Sequence, residues 1–331
     1  TFTRVYFIGA ISFSQDSQPV TSRELHLINR LVDHPLARRV CNAMFATRSR
    51  HHLAHLNRLN AARAQLCALL GLVYRARSTP FGRDHDFARI RTTEDFRRLV
   101  PVRSPLELYR QYGHSGRAWL ASSLPVTLPH PDLGDNPRPI RLSSALLHSH
   151  ARAMLTALGL IHQMRPQTNV FHGRIVWLGD DTVVASSEEA DSDTLALALD
   201  RFPRNVRPAV RFPMAFSLSR ATRRIDEEIE EIAGELCADS PSILVGPAER
   251  IVRYLECARQ LRGLSHPHKL WPDLVAILYT RRDPGYSVAN LRDLVGNQVL
   301  LLELWSRPEY PFAVEDPSQG GLRLLVDHGV Y

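Results

Sequence analysis

Lysine is almost absent from this 331-residue chain: Lys269 stands alone among 41 basic residues, and all the others are arginine. A phosphate-binding loop of the G-x-x-x-x-G-K-[ST] type needs a lysine directly after a glycine, whereas Lys269 follows His268, so a nucleotidase of that class is excluded. A pyridoxal enzyme, which needs an active-site lysine, is disfavoured on the same ground. Cysteine is scarce as well. Cys41, Cys67, Cys237 and Cys257 are isolated, without C-x-x-C or zinc-type spacing. That excludes a disulfide framework, and the four read as small core hydrophobes in a reducing compartment, the cytoplasm being the expected location. No apolar run approaches the roughly 18 residues needed to span a bilayer. The longest, Val5 to Phe13 and Ala153 to Ile161, lack the flanks of a signal peptide, so no membrane partner is expected. No G-x-G-x-x-G follows a strand-like run, and Gly113-His114-Ser115-Gly116 only approaches a G-x-S-x-G elbow. Dinucleotide dehydrogenase and α/β-hydrolase readings fall with them.

What is present is the balance of a globular protein with a sizeable core: 44% hydrophobic and 23% charged residues. The formal charge of +7 comes with an arginine skew that resembles GC-rich, bacterial codon usage. The arginines read as spread along the chain and partnered by 34 acidic residues, so nucleic acid is not expected as a partner. His51 and His55 lie one helical turn apart and His266-Pro267-His268 forms a short cluster, but no carboxylate or thiol accompanies them. They read as a solvated helix face and a loop. The chain opens on Thr1 with no methionine before Met44 and closes on Val330-Tyr331 in a strand-like run, the pattern expected of a fragment.

Along the chain, residues 1–20 read as a poorly ordered arm or a non-native segment, and residues 21–331 as one incomplete α/β domain whose first part, to about residue 112, is helical. One helical block is expected from Ser22 to Arg77, with Leu56, Leu59, Leu66, Leu70 and Val73 on one face. Thr92 and Asp95 sit at capping-box spacing, and Ser104-Pro105 and Ser143 open further helices. Gly113 to Arg141, with prolines at 125, 129, 131, 137 and 139, reads as loop. Strands are expected at 170–178 and 182–185 as a pair around Gly179-Asp180-Asp181, then at 274–279, 299–304, 312–315 and 322–326. Helices are expected at 191–200, 219–238, 247–262 and 288–295, the acidic run Asp226 to Glu231 forming the wet face of the second. That alternation is α/β.

Several stretches in this order resemble one family. Thr79-Pro80-Phe81-Gly82 and Phe96-Arg97-Arg98-Leu99-Val100-Pro101-Val102 are similar to an N-terminal passage of the Gretchen Hagen auxin-responsive family of acyl-acid amido synthetases. Asn136-Pro137-Arg138-Pro139-Ile140 resembles the stretch that leaves the family's phosphate loop, and Leu270-Trp271-Pro272-Asp273-Leu274 its "L-W-P-x-L" approach to a strand. Leu304-Trp305-Ser306-Arg307-Pro308-Glu309-Tyr310-Pro311-Phe312-Ala313 lines up with its "Y-A-S-S-E-x-x-F-G" nucleotide motif, and Asp327 to Tyr331 with the strand after it.

The resemblance implies an adenylate-forming fold, with a large N-terminal domain of layered sheets and flanking helices from which the small C-terminal lid is missing. It implies ATP and Mg²⁺ as cofactors, and a small carboxylic acid and an amine or amino acid as substrates. Carried over residue by residue, Glu309 is the catalytic and metal-binding position. Gly134 and Arg138 lie toward the phosphates, Trp305 and Phe312 take the motif's aromatic positions, and Tyr331 falls on a tyrosine near the nucleotide. The phosphate loop departs from the pattern. Where the family has serine, threonine and glycine, this chain has Pro129-His130-Pro131-Asp132-Leu133-Gly134-Asp135, in which the prolines remove N–H donors and the aspartates repel a triphosphate. Two readings therefore stand: an acyl-adenylate-forming amido synthetase, or a catalytically degenerate relative that keeps the fold as a binding module.

Overall fold

The computed structural model describes residues 35–112, 127–129, 139–141, 143–166, 174–178, 210–211, 225–238, 241–264, 271–281, 288–307 and 310–327. The arm expected at 1–20, the helix expected at 191–200 and the strand expected at 182–185 lie outside them.

The first helical block is two helices over its described part, α1 (Pro35–Arg58) and α2 (Ala61–Ala76). The break falls at Leu59-Asn60, where the Asn60 side chain accepts the Arg63 N–H at 3.0 Å and caps α2. Leu56 thus belongs to α1 and Leu66, Leu70 and Val73 to α2, so the expected face is divided between two helices, and only its second part, with Leu70 and Val73 packed in one core cluster, runs along a single helix. Cys67, read as a core residue, is exposed on α2.

Thr79-Pro80-Phe81-Gly82 opens the short helix α3 (Pro80–Asp84). Thr79 accepts the Gly82 N–H at 3.0 Å, and Pro80 sits where its missing N–H costs nothing. Gly82 is buried so closely that a Cβ would lie 2.1 Å from the Ala76 carbonyl oxygen. Phe81 meets Phe87 and Tyr112 edge-on, with ring centroids 5.6 and 5.2 Å away, and the Tyr112 hydroxyl donates to Asp84 at 2.8 Å. This motif is a structural corner. Helix α4 (Thr93–Leu99) carries the full capping box expected of Thr92 and Asp95, and α5 (Pro105–Tyr112) follows.

The proline-rich stretch read as loop holds a two-stranded antiparallel hairpin, β1 (Thr127–Pro129) and β2 (Pro139–Arg141). Pro129 faces Pro139, a pair without N–H donors that suits only so short a ladder. Ser143 then caps α6 (Ser144–Met164) by accepting the Leu146 N–H at 3.1 Å.

The remaining elements alternate: β3 (Arg174–Trp177), β4 (Val210–Arg211), α7 (Ile225–Ala238), β5 (Pro241–Pro247), α8 (Ala248–Leu261), β6 (Ala276–Thr280), α9 (Val288–Val295), β7 (Leu300–Arg307), β8 (Tyr310–Asp316) and β9 (Gly321–Leu324). The seven strands β3 to β9 form one sheet in the order β4-β3-β5-β6-β7-β8-β9, parallel as far as β7 and antiparallel beyond it. β3 was expected in a hairpin with 182–185, yet both of its described neighbours, β4 and β5, run parallel to it. β5 was not anticipated at all.

Both faces of the parallel sheet are covered, so its strands read as continuous apolar runs. Along β5, Ile243 and Val245 face a core shared with α1 and α6, while Leu244 faces one shared with α7, α8 and α9. On α7, Ile232 and Leu236 are buried and Glu230 and Glu231 exposed, the wet and dry faces read from the sequence. Trp271, of the L-W-P stretch, is buried and donates its indole N–H to the Leu236 carbonyl at 2.9 Å, pinning the start of β6 to the last turn of α7.

Candidate functional site

The chain winds outward from β3 in both directions, to β4 on one side and through β5, β6 and β7 on the other. Open α/β sheets bind ligands outside the carboxyl ends of their strands, near where the order reverses. The described residues at that end are Trp177-Leu178, Gly246-Pro247, Thr280-Arg281 and Trp305 to Arg307, with β8 starting at Tyr310.

The structure brings Trp305 and Phe312 to one end of the β7–β8 hairpin. Trp305 pairs with Ala313 and Ser306 with Pro311, so the register slips and Phe312 is the additional residue on β8. Such bulges re-aim side chains and gather beside active sites. Both rings are unusually open, Trp305 at 48% and Phe312 at 38% exposure. Phe312 is held edge-on by Tyr310, with centroids 5.4 Å apart, and the Tyr310 hydroxyl donates to the Leu325 carbonyl at 3.1 Å. Gly134, Arg138, Glu309 and Tyr331 lie outside the described residues.

Below Trp305 on β7, Glu303 is a carboxylate buried between Leu302 and Leu304 in the apolar part of the strand. Arg281, just past β6, grips it with a two-pronged fork, Nε to Oε1 at 2.8 Å and Nη2 to Oε2 at 2.7 Å. The Glu303 N–H in turn donates to Glu315 on β8 at 2.9 Å. Tyr279 faces Glu303 in register. Burial first, and then the negative charges of Glu315 and Glu303, push its phenol well above the usual tyrosine range, so it stays protonated. Behind the same strand end, His150 of α6 is buried with Nδ1 3.5 Å from the Ser306 Oγ. Sequence reading missed Arg281, Glu303, Glu315 and His150. The one available signal was Glu303, a single charge within the apolar run Val299 to Leu304.

Chemically, this end of the sheet offers two open aromatic rings beside a carboxylate already neutralised by arginine. Among the described residues no three His, Cys, Asp or Glu side chains converge to hold a metal ion.

No protein-family model and no curated protein matches the chain. Solved structures do. The acyl acid amido synthetase AtGH3.15 in complex with 2,4-DB superposes with a TM-score of 0.61 at 13% identity, over 86% of this chain and 60% of that one. An open conformation of 2-hydroxyisobutyryl-CoA ligase in complex with 2-HIB-AMP and CoA gives 0.52 at 16% identity, over 79% and 54%. A further GH3.15 structure gives 0.51 at 12%, over 81% and 57%. This chain therefore spans little more than half the length of the structures it matches, and what it shares with them is the α/β fold of adenylate-forming enzymes.

Proposed function

We propose that the chain is an ATP-dependent, ligase-like protein that activates a carboxylic acid as an acyl-adenylate and passes it to an amine or amino acid. In that reaction a carboxylate oxygen attacks the α-phosphorus of ATP and pyrophosphate leaves. The amine then attacks the acyl carbon, AMP leaves and the amine loses a proton. The observation that supports the reading is the position of the Trp305–Phe312 stretch: a nucleotide-like motif, with an exposed indole and a bulged phenylalanine, at the carboxyl end of the sheet in an adenylate-forming fold. Trp305 stacks the base in this reading, with Phe312 and Tyr331 beside the nucleotide, while Gly134 and Arg138 lie toward the phosphates. Glu309 would hold Mg²⁺, which would neutralise the charge that develops on pyrophosphate.

One observation favours the second reading, a degenerate relative that binds a small molecule or protein without turnover: the substitution of proline and aspartate through Pro129 to Asp135. Calorimetric titration with Mg·ATP and with AMP separates the two. Binding in the micromolar to low-millimolar range, weakened by Glu309→Gln, supports adenylation. A folded sample that binds neither nucleotide belongs to the second reading.

A further inference from the structure

The positive charge of this protein is not distributed as its composition suggests. Residues 35–83 contain nine arginines and no lysine, aspartate or glutamate, a formal +9; the rest of the chain, with 32 basic and 34 acidic residues, sums to −2. The whole net charge therefore resides in α1, α2 and the chain from there into α3.

α1 concentrates it. Its inward face is fixed by Phe45, Ser49 and Leu53, all buried against α6 and the sheet. Its outward face carries Leu36, Val40 and Met44 at steps of four residues, exposed at 60%, 58% and 58%. Three aliphatic side chains in line on a water-facing helix lose favourable burial that a partner would restore. At 3.6 residues per turn, exposed Arg39 and Arg50 fall on one flank of that stripe and exposed Arg48 on the other. Past Met44 the same face continues as His51, His55 and Arg58, all exposed. Among the described residues, none of Arg39, Arg48, Arg50 and Arg58 forms an ion pair.

We infer that the outward face of α1 docks in the plane of an anionic lipid bilayer, the aliphatic stripe entering the headgroup boundary and the arginines meeting lipid phosphates and carboxylates. Over residues 36–44 this face sets three aliphatic side chains between arginines, with no acidic residue anywhere in the helix, a combination that suits the boundary of an anionic bilayer. No described helix is long and apolar enough to cross a membrane, which is a separate matter from one lying on its surface. A nucleic acid answers to the arginines equally well, but it offers Leu36, Val40 and Met44 nothing to enter; a bilayer answers to both.

Cosedimentation of the full chain with vesicles tests this, using phosphatidylcholine alone and phosphatidylcholine with about one-third phosphatidylserine. The protein is expected to sediment with the anionic vesicles only, and less as salt rises. Each arginine near such a surface contributes about fivefold in partitioning, so Arg48→Glu with Arg50→Glu is expected to weaken binding at least about 25-fold. Val40→Asp with Met44→Asp is expected to weaken it at least about tenfold. Both pairs lie on the exposed face, and an unchanged thermal midpoint verifies that each variant folds. The inference is overturned if the folded wild type ignores anionic vesicles, or if neither double variant changes binding. It is also overturned if a duplex oligonucleotide displaces the vesicles and binds the Val40→Asp, Met44→Asp protein as tightly as the wild type.

Discussion

Asp316, at the end of β8, is almost fully buried at 1% exposure. It accepts the Ser318 N–H at 3.1 Å and the Ser318 hydroxyl at 2.5 Å. Arg323 of β9 reaches the same carboxylate with Nε at 3.0 Å and Nη2 at 2.6 Å, and uses Nη1 to donate to Asn57 of α1 at 2.7 Å. One carboxylate therefore closes the β8–β9 turn, and through Arg323 ties that edge of the sheet to α1. Removing one partner of a buried ion pair strands the other, at a cost of about 3 to 5 kcal/mol. Arg323 keeps a side-chain exposure of 18%, so water can partly solvate it. Asp316→Ala is accordingly expected to cost about 3 kcal/mol. Arg323→Ala, which leaves a carboxylate satisfied by Ser318 alone, is expected to cost about the same. With both removed no charge is stranded, and the double variant should cost about 4 kcal/mol rather than the sum, a coupling of about 2 kcal/mol. Urea denaturation of the four proteins measures this cycle. Additivity within about 0.5 kcal/mol, or either single variant costing less than about 1 kcal/mol, refutes the latch. The pH dependence has a fixed sign. Burial alone raises the Asp316 carboxyl, but Ser318 and Arg323 outweigh it and hold it below the usual carboxylate range. The latch is therefore fully present above the unfolded carboxyl's pKa and is lost as pH falls through the folded one, a loss Asp316→Asn should abolish.

Two further outcomes follow from the site and from α1. Trp305→Ala removes a half-exposed ring, so stability should barely change while adenine-nucleotide affinity falls about 5- to 100-fold; equal AMP affinity in the two proteins rules out base stacking on this residue. His52, whose ring nitrogen lies 2.9 Å from the Thr156 hydroxyl, is held below the usual histidine range by burial first and then by Arg152, against an opposing pull from Asp327. The unfolded chain binds that proton more readily, so stability should fall as pH drops below about 6.5, and His52→Gln should flatten part of that fall in thermal midpoints measured across the range.

Local signals carried most of the fold. The capping box at Thr92, the caps at Ser143 and Ser104-Pro105, and the two-faced helix α7 were legible because each depends on residues within a turn of one another. The break at Leu59-Asn60 was hidden because leucines continue on both sides of it, although Asn60 is a cap by residue type. β5 was hidden for another reason. Ile243 to Val245 is a brief apolar run without alternation, since both faces are covered, and only its neighbours β3 and β6 make it a strand. At the site, Trp305 and Phe312 were legible as a motif, whereas the Arg281–Glu303 fork joins residues 22 apart that only the pairing of β6 with β7 brings together. The charge segregation into residues 35–83 was present in the sequence, but a whole-chain count averages it away.

Two of the stretches that carry the family resemblance prove to be scaffolding. Thr79 to Gly82 builds a corner that no side chain larger than glycine's fits, and Trp271 pins a strand to a helix. An active enzyme and a degenerate relative need those contacts equally, so they do not choose between the two functional readings. In the proposed reading the stretch Pro129 to Asp135 does bear on the choice, because it is the one that would meet phosphate. In that reading Asp132 and Asp135 each bring a negative charge toward the triphosphate. If that segment faces ATP, Asp132→Asn and Asp135→Asn should each tighten Mg·ATP by about tenfold at low salt, leave adenosine unchanged and lose their effect as salt rises. Calorimetry with ATP and adenosine in parallel measures this, and adenosine is the necessary control because it shares the base but carries no phosphate. A gain confined to ATP means that the phosphate path runs past this segment and that the aspartates restrain an adenylating site. No gain in either variant, in a protein that binds adenosine, means that the segment has left the phosphate path; the fold then presents its base-stacking surface without the means to activate an acid.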